Sequence, residues 1–476
     1  MPKYTTLSQV QQAIRSGAER CESLVRYYLA QIEASQHLNA YVEVYAEEAL
    51  ARARELDARY EEASAFVGRL HGMVLSHKDV ICYAGHGVSA GSKILEGFTS
   101  LYSATAVERL LAEGAIFIGR NNCDEFAMGS SNETSYYGPA KNAADPARVP
   151  GGSSGGSAVA VQADTCLASL GSDTGGSVRQ PAAFCGVVGF KPTYGRISRY
   201  GLLAYGSSFD QIGILSHSVE DAALLLEIMA GPDAYDSTAS QREVPPYTQA
   251  LDFEGPARIA YYRSALEHPS LDPGIRQACE GFIAKLRAAG HTVEGIEFEY
   301  LDYIIPAYYV LTTAEASSNL SRYDGIRYGY RSPHADDLMS TYKRSRSEGF
   351  GAEVKRRIML GTFVLSAGYY DAYYAKAQKV RRLIQDKTAA IFQDYDFILM
   401  PAAPGTAWPL GEKLDDPVAM YLADIFTVQA NMAGIPAIAL PVGTHPEDGL
   451  PIGLQLMAPK FEEARLLALG RSMLGG

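Results

Sequence analysis

Two segments rich in glycine and serine restrict the fold of this chain more than any other feature. They occupy residues 151–157 (GGSSGGS) and 171–177 (GSDTGGS), and a run of mostly small residues joins them. Glycine permits tight turns and close backbone contacts that a side chain would prevent. Two such loops so near each other predict backbone folded closely around a site, with Ser153 and Ser177 at it.

Glycine-rich loops also bind phosphates, so the spacing within these two loops matters. A Walker A loop has the pattern GxxxxGK[ST], and a dinucleotide-binding loop has GxGxxG after a strand. The first loop here continues as Ser-Ala-Val at residues 157–159, without a lysine. The spacing therefore disfavours a nucleotide site and favours acyl transfer.

A serine nucleophile needs a base, and Lys78 is the candidate. It follows a short apolar run at residues 73–75 that predicts a strand, and strand ends often carry the chemistry of α/β sheets. A lysine acts as a base only when burial and neighbours lower its pKa enough to leave the amine neutral. The alternatives are an ion pair between Lys78 and Asp79, and turn or helix-cap roles for the serines.

The glycines before the second serine predict an oxyanion hole. They allow successive backbone N–H groups to point into one concavity. We therefore expect Thr174, Gly175 and Gly176 to stabilise an oxyanion beside Ser177, helped by the dipole of a following helix. Ser153 would lie between Ser177 and Lys78 and relay the proton.

Composition and charge exclude several other classes of protein. A net charge of −12 makes the chain a poor direct ligand for nucleic acid, because affinity for phosphates requires clustered lysine and arginine. No apolar run reaches the roughly 18 residues needed to span a membrane, and the N-terminus lacks a signal-peptide pattern. We expect a cytoplasmic protein without membrane contact.

The cysteines and histidines give no metal-binding pattern. The six cysteines form no CxxC pair and lie in apolar contexts, so we predict buried free thiols. The nine histidines show no HExxH or HxH spacing. We predict no metal.

Apolar runs alternate with helical periodicity along most of the chain. Residues 5–60 have helical periodicity, and short apolar runs typical of strands then alternate with helical patterns. These runs lie at residues 74–75, 115–118, 258–261, 397–400, 435–440 and 452–456. This alternation predicts an α/β sheet covered by helices on both faces. We expect one domain over residues 1–476. Its parts are a helical layer at 1–65, a catalytic core at 66–230, a surface excursion at 232–256 and a second half at 257–476.

The glycine loops resemble the amidase signature family. The resemblance covers residues 151–157, residues 171–181 (GSDTGGSVRQP) and residues 189–196 (GFKPTYGR). It implies the fold of that family, with a mixed central sheet, and a Ser–cis-Ser–Lys triad. Ser177 is then the acyl-forming nucleophile, Ser153 the bridging serine after a cis peptide bond, and Lys78 the base.

Further segments resemble one branch of this family, the glutamine-hydrolysing subunits of tRNA-dependent amidotransferases. These segments are residues 128–135, 314–320, 322–329, 353–358 and 368–374. The resemblance implies a glutamine pocket whose residues are Gly129, Ser130, Tyr308, Arg357 and Asp424.

The implied roles suit the chemistry of free glutamine. Arg357 pairs with the α-carboxylate and Asp424 accepts from the α-ammonium. The residues themselves leave Tyr309 and Arg356 as alternatives. They also leave open an intrahelical pair of Arg357 with Glu353.

The resemblance also implies partners. In this branch, two further subunits complete the complex: a larger kinase that binds tRNA, and a small third subunit. The larger partner uses ATP and Mg²⁺ to activate the glutamate of Glu-tRNA(Gln), and ammonia from glutamine then gives Gln-tRNA(Gln). The chain itself is expected to carry no cofactor and to meet tRNA mainly through the partner. Two alternatives are a stand-alone amidase acting on small amides and a catalytically silent scaffold.

Overall fold

Eleven strands form one sheet through the middle of the molecule, in a computed structural model that describes residues 3–475. The strands are β1 (Tyr41–Val44), β2 (Val74–Lys78), β3 (Ile116–Asn121), β4 (Ala168–Asp173), β5 (Val188–Lys191), β6 (Gln211–Ser216), β7 (Arg258–Tyr262), β8 (Thr292–Ile296), β9 (Phe397–Pro401), β10 (Ala437–Thr444) and β11 (Pro451–Met457). Their order across the sheet is β1-β3-β2-β4-β6-β5-β10-β11-β9-β7-β8.

The sheet is mixed and covered on both faces. β2 pairs in parallel with β3 and β4, and β7 with β8 and β9, whereas the remaining pairs are antiparallel. Every residue of β2, β3, β4 and β6 is buried. Because alternate side chains of a strand point to opposite faces, unbroken burial means that both faces are covered. The predicted mixed sheet with helices on both faces is confirmed.

Helices fill the connections between the strands. In the described residues they are α1 (Leu7–Arg15), α2 (Cys21–Ala34), α3 (Ala46–Ala63), α4 (Thr105–Ala112), α5 (Gly155–Gln162), α6 (Arg179–Cys185), α7 (Val219–Met229), α8 (Arg263–Leu266), α9 (Pro273–Ala288), α10 (Leu301–Asn319), α11 (Leu338–Gly349), α12 (Ala352–Val364), α13 (Lys376–Ile391), α14 (Pro417–Leu422), α15 (Val428–Ala433) and α16 (Glu463–Leu474). A π-helical turn occupies Tyr370–Ala375. No helix of residues 3–475 combines the length and apolar character that a membrane crossing needs.

The N-terminal segment departs from the predicted helical layer at one place. The expectation of helical structure over residues 5–60 was wrong at β1, which pairs antiparallel with β3 at the edge of the sheet. The chain leaves the helical region at Asn39, whose φ is 52°, a left-handed conformation that ends helices. The residues that follow include Tyr41 and Val44, types that favour strands. The helical periodicity resumes in α3.

The central strands β4, β5 and β6 were not predicted, and they position the site. β4 has the sequence ASLGSD, too polar and too rich in small residues to read as an apolar run. Gly171 in β4 shows the reason, because a Cβ there would lie 2.9 Å from Ser154 Oγ. The first glycine loop therefore packs directly on the strand that leads to the second. The six cysteines are all buried and free, as predicted.

Candidate active site

Lys78 ends β2 in a fully buried position among three serine hydroxyls. Its Nζ lies 2.7 Å from Ser153 Oγ, 2.9 Å from Ser172 Oγ and 3.0 Å from Ser154 Oγ. Burial lowers the pKa of Lys78 from 10.5 to about 8, because water no longer stabilises the ammonium form. A lysine in this state is suited to accept a proton from a serine.

Asp79, the other candidate partner of Lys78, forms different contacts. Its carboxylate pairs with Arg120 and accepts from the backbone N–H groups of Ser89 and Gly91, both at 2.8 Å. Lys78 forms no ion pair within residues 3–475. The structure therefore excludes the Lys78–Asp79 ion pair and leaves the lysine amine to the serines.

The two glycine loops meet beside Lys78. The peptide bond between Gly152 and Ser153 is cis, as the resemblance implied. The N–H of Ser154 donates to the carbonyl oxygen of Ser177 at 3.1 Å, so the loops are joined at their serines. Ser177 is 9% exposed, whereas Lys78 and Ser153 are fully buried. A substrate from solvent thus meets Ser177 first, with Ser153 and the base behind it.

One of the three predicted oxyanion donors already donates its N–H to another group of the protein. The N–H of Gly176 donates to Asp173 Oδ1 at 2.9 Å. Thr427 fixes the same turn, since its hydroxyl donates to the carbonyl oxygen of Gly175 at 2.7 Å. Within the described part of the chain, the N–H groups of Thr174, Gly175 and Ser177 have no protein acceptor, so they remain free for an oxyanion.

A buried ion pair fixes the nucleophile loop, and the sequence analysis did not single it out. Arg179 donates to both carboxylate oxygens of Asp173, each at 3.0 Å. Its other amino group donates at 2.8 Å to the carbonyl oxygen of Thr427 and to Gln455. Burial alone would raise the pKa of Asp173, but Arg179 outweighs it and lowers that pKa to about 2. The sequence pattern that could have indicated this ion pair is the two opposite charges, Asp173 and Arg179, on either side of Ser177.

Arg357 of α12 lies in a box of aromatic rings. Its guanidinium carbon is 5.3 Å from the ring centre of Tyr309, 5.4 Å from that of Tyr421 and 5.6 Å from that of Tyr205. Its Nε donates to Glu353 at 2.8 Å, and its Nη1 donates to the Tyr205 hydroxyl at 2.7 Å. The intrahelical pair with Glu353 therefore exists, and it fixes the guanidinium.

Burial distinguishes the two candidate arginines, and side-chain contacts distinguish the two candidate tyrosines. The side chain of Arg357 is 3% exposed, whereas that of Arg356 is 48% exposed. Tyr309 stacks within the aromatic box, but Tyr308 points elsewhere: a Cβ on Gly175 would lie 2.5 Å from its hydroxyl. The structure thus places Tyr308 against the nucleophile loop and Tyr309 beside the arginine.

A buried carboxyl group complements the arginine. Ser130 donates its hydroxyl to Asp424 Oδ2 at 2.7 Å, and burial raises the pKa of Asp424 to about 7. Gly129, the residue before Ser130, and Arg357 both line a cleft of about 210 Å³. One cation, one carboxyl group and a serine beside a lysine base fit a small zwitterionic amide.

The amidase family model matches residues 23–467. With the mixed sheet and the serine–lysine cluster, this match defines the class of protein: the chain belongs to the amidase family. A peptide amidase from Stenotrophomonas maltophilia has a similar structure, with a TM-score of 0.81 and 31% identity over 99% of this chain and 97% of that one.

More similar relatives narrow the class. The chain is 51% identical to the A subunit of glutamyl-tRNA(Gln) amidotransferase from Chlorobium phaeobacteroides (strain BS1), over 99% of this chain and 98% of that protein. It is 51% identical to the same subunit of Acidobacterium capsulatum, over 99% of each. The crystal structure of the Thermotoga maritima counterpart superposes with a TM-score of 0.77, at 38% identity over 95% of this chain and 91% of that one. Within the amidases, the chain belongs to the family of glutamyl-tRNA(Gln) amidotransferase A subunits.

Proposed function

We propose that this chain hydrolyses glutamine and supplies the ammonia with which its complex converts Glu-tRNA(Gln) to Gln-tRNA(Gln). The observation that carries the proposal is the buried pair of recognition groups. Arg357 and Asp424 are both buried. Arg357 keeps Nη2 without an acceptor, and Asp424 has no cationic partner within residues 3–475, so an uncharged amide would satisfy neither. An uncompensated buried charge is strongly unfavourable. Free glutamine offers an α-carboxylate to the first group and an α-ammonium to the second.

The serine–lysine cluster supports acyl transfer to Ser177. Its Oγ attacks the side-chain amide carbon of glutamine while its proton passes to Ser153 Oγ. The proton of Ser153 passes to the lone pair of Lys78. The free N–H groups of Thr174, Gly175 and Ser177 stabilise the oxyanion.

The C–N bond then breaks, and the same relay returns the proton to the leaving nitrogen, which departs as ammonia. A γ-glutamyl ester remains on Ser177. Water attacks this ester while the relay removes its proton. The bond between the acyl carbon and Ser177 Oγ then breaks, the relay returns the proton to Ser177 Oγ, and glutamate is released. Lys78 and Ser153 end the cycle in their starting protonation states.

The remaining pocket residues position glutamine along this path. Ser130 and Gly129 form the wall next to Asp424, and the Ser130 hydroxyl orients its carboxylate. Tyr308 fills the space between the nucleophile loop and the aromatic box. In the proposed complex, ATP, Mg²⁺ and most of the tRNA bind to a larger partner, and a small third subunit joins them. A net charge of −12 agrees with tRNA contact through a partner.

The test uses the complex purified through a tag on this chain from its host. We expect it to form Gln-tRNA(Gln) from Glu-tRNA(Gln), ATP, Mg²⁺ and glutamine. The variant Ser177→Ala should lose glutamine hydrolysis, yet it should still form Gln-tRNA(Gln) when ammonium chloride replaces glutamine, because the partner site is intact. Ser16→Ala, an exposed serine at the end of α1, serves as the control.

Two results would contradict the proposal. Glutamine hydrolysis that persists in Ser177→Ala would reject the nucleophile. Hydrolysis of many small amides by the chain without partners, unaffected by Glu-tRNA(Gln), would instead assign the chain to the stand-alone amidases.

A further inference from the structure

The surroundings of Lys78 contain more hydroxyl groups than the proton relay needs. An ammonium group has three N–H bonds, and three serine oxygens lie within 3.0 Å of Nζ. A neutral amine, the form that acts as a base, has two N–H bonds and one lone pair. The carbonyl oxygen of Ser172 lies farther from Nζ, at 3.5 Å. Two of the three nearer hydroxyls therefore accept the N–H bonds, and the third donates its proton to the lone pair.

The contacts of Ser154 restrict it to accepting. Its hydroxyl donates its single proton to the carbonyl oxygen of Ser172 at 3.1 Å. Its oxygen accepts from the backbone N–H of Ser172 at 3.2 Å and from Lys78 at 3.0 Å. With its proton committed, Ser154 cannot donate to the lone pair of Lys78.

Ser172 and Ser153 differ in their position relative to the nucleophile. Ser172 lies in β4 on the strand side of Lys78, whereas Ser153 lies in the loop whose next residue bonds to the Ser177 backbone. Ser153 also makes the shortest contact, 2.7 Å. If the lone pair of Lys78 were directed at Ser172, the lysine could not accept the proton of Ser153.

We propose that Ser154 and Ser172 are positioning residues that accept the two N–H bonds of neutral Lys78 and thereby direct its lone pair at Ser153. The proton balance is that of the relay: Ser153 gives its proton to Nζ and takes the proton of Ser177. The inference rests on the proposed function for the identity of the substrate, but not for the geometry of the base.

The test compares variants matched by element. Ser172→Ala and Ser154→Ala remove the two acceptors. Their controls are Ser169→Ala in β4 and Ser157→Ala in α5, buried serines that bond to the backbone of Ser76 and Leu170 and not to Lys78. Ser172→Thr keeps a hydroxyl and should restore the wild-type behaviour. Thermal unfolding confirms that each variant is folded.

The main readout is the pH dependence of kcat for glutamine hydrolysis by the complex. We expect kcat to fall about tenfold in Ser172→Ala and Ser154→Ala with little change in KM, less than the roughly 10²–10⁴-fold that loss of a general base costs. The acid limb of the pH profile of kcat, where Lys78 becomes protonated, should move to lower pH by about half a unit or more. Hydrogen bonds to the charged form raise the pKa of a lysine, and each of these variants lacks one such bond.

The other titratable groups around Lys78 stay the same in all variants. They are Cys123 and Asp124 after β3, Asp173 at the end of β4 and Asp210 before β6. The negative charge of the carboxylates opposes the effect of burial on the lysine pKa, whereas burial raises the pKa of the Cys123 thiol and keeps it neutral. A shift of the acid limb confined to the Lys78-contacting variants therefore reports the lost hydroxyl. A purely structural role would lower stability in the variants and their controls without moving the acid limb.

A second readout does not require glutamine. Phenylmethanesulfonyl fluoride labels an activated serine, so its rate of reaction with Ser177 follows the same base. A shifted labelling profile with no glutamine hydrolysis in the wild type would support the positioning role and reject the proposed function. Profiles identical to those of Ser169→Ala and Ser157→Ala, or a kcat that rises in Ser172→Ala, would overturn the inference.

Discussion

At the scale of single residues, the contacts of Arg357 fix its guanidinium before any ligand binds. Three tyrosine rings surround it, and Glu353 and Tyr205 each take one of its donors. Rotamer freedom is therefore already lost in the free protein, so less is lost when a carboxylate binds. The fixed group still offers Nη2, which has no acceptor within residues 3–475.

This arrangement predicts the effect of replacing the guanidinium by an amine. Arg357→Lys keeps the charge but loses the planar fork and its bonds to Glu353 and Tyr205. We expect KM for glutamine to rise about 10- to 100-fold with kcat nearly unchanged, because bonds to charged groups are worth roughly 1.5–3 kcal/mol. Steady-state kinetics of the complex measure both constants.

The neighbouring arginine gives a matched control. Arg356→Lys changes the same residue type on the same helix, and this arginine also pairs with Glu353, but its side chain is half exposed. We expect KM to stay within about twofold, in line with the small energies of surface pairs. Equal effects of the two substitutions would show that Arg357 does not contact the substrate.

At the scale of elements, the Asp173–Arg179 pair holds together parts that are distant in the sequence. Asp173 ends β4 and Arg179 begins α6, while Arg179 also bonds to Thr427, the residue before α15. Both side chains of the pair are fully buried. The strand, the helix that follows Ser177 and a segment from the second half of the chain therefore keep a fixed geometry around the nucleophile.

Breaking this pair should destabilise the protein strongly. Arg179→Met leaves the Asp173 carboxylate buried without its cation, and we expect the free energy of unfolding to fall by about 3–5 kcal/mol. Urea unfolding measures it at neutral pH. The control Arg382→Met breaks an exposed pair with Asp386 and should cost no more than about 0.5 kcal/mol.

The effect of pH on this pair has a definite sign. Because Arg179 lowers the pKa of Asp173 to about 2, the pair stabilises the protein above the ordinary carboxyl pKa of about 4. In Arg179→Met, burial raises the pKa of Asp173, so the wild-type advantage should shrink over a range that begins above pH 4 and ends near pH 2. An advantage that does not change over this range would contradict the assigned ion pair.

How far the sequence predicted each element depended on its pattern. Apolar runs correctly indicated β2, β3, β7, β9, β10 and β11, and the glycine loops indicated the serine cluster. The strands β4, β5 and β6 were missed, and in β4 serine and glycine replace the apolar side chains that mark a strand. The contacts that form the box around Arg357 join residues far apart in sequence. Local patterns carry no signal for such contacts.

At the scale of the whole molecule, the two halves of the chain share one sheet. β5, from the catalytic half, pairs antiparallel with β10, from the C-terminal half, with residues 189–191 opposite residues 437–439. The helix α6 that follows Ser177 packs on β10 and β11, and one core cluster extends from Leu7 to Met473. We propose that the chain is a single domain, because neither half could bury its sheet edge alone.

If the chain is a single domain, a substitution that destabilises its N-terminal part should also lower the unfolding midpoint of its second half. Leu24 is fully buried in α2, and Trp408, the one tryptophan of the sequence, lies in the second half. Leu24→Ala should lower the free energy of unfolding by about 2–5 kcal/mol. It should lower the unfolding midpoint seen by Trp408 fluorescence as much as the midpoint seen by circular dichroism. Leu101→Ala, at a site 88% exposed, should move neither midpoint. An unfolding midpoint of Trp408 that Leu24→Ala does not change would show that the chain consists of two independently folding units. In a single core shared through β5 and β10, loss of packing in the N-terminal part must also destabilise the C-terminal part.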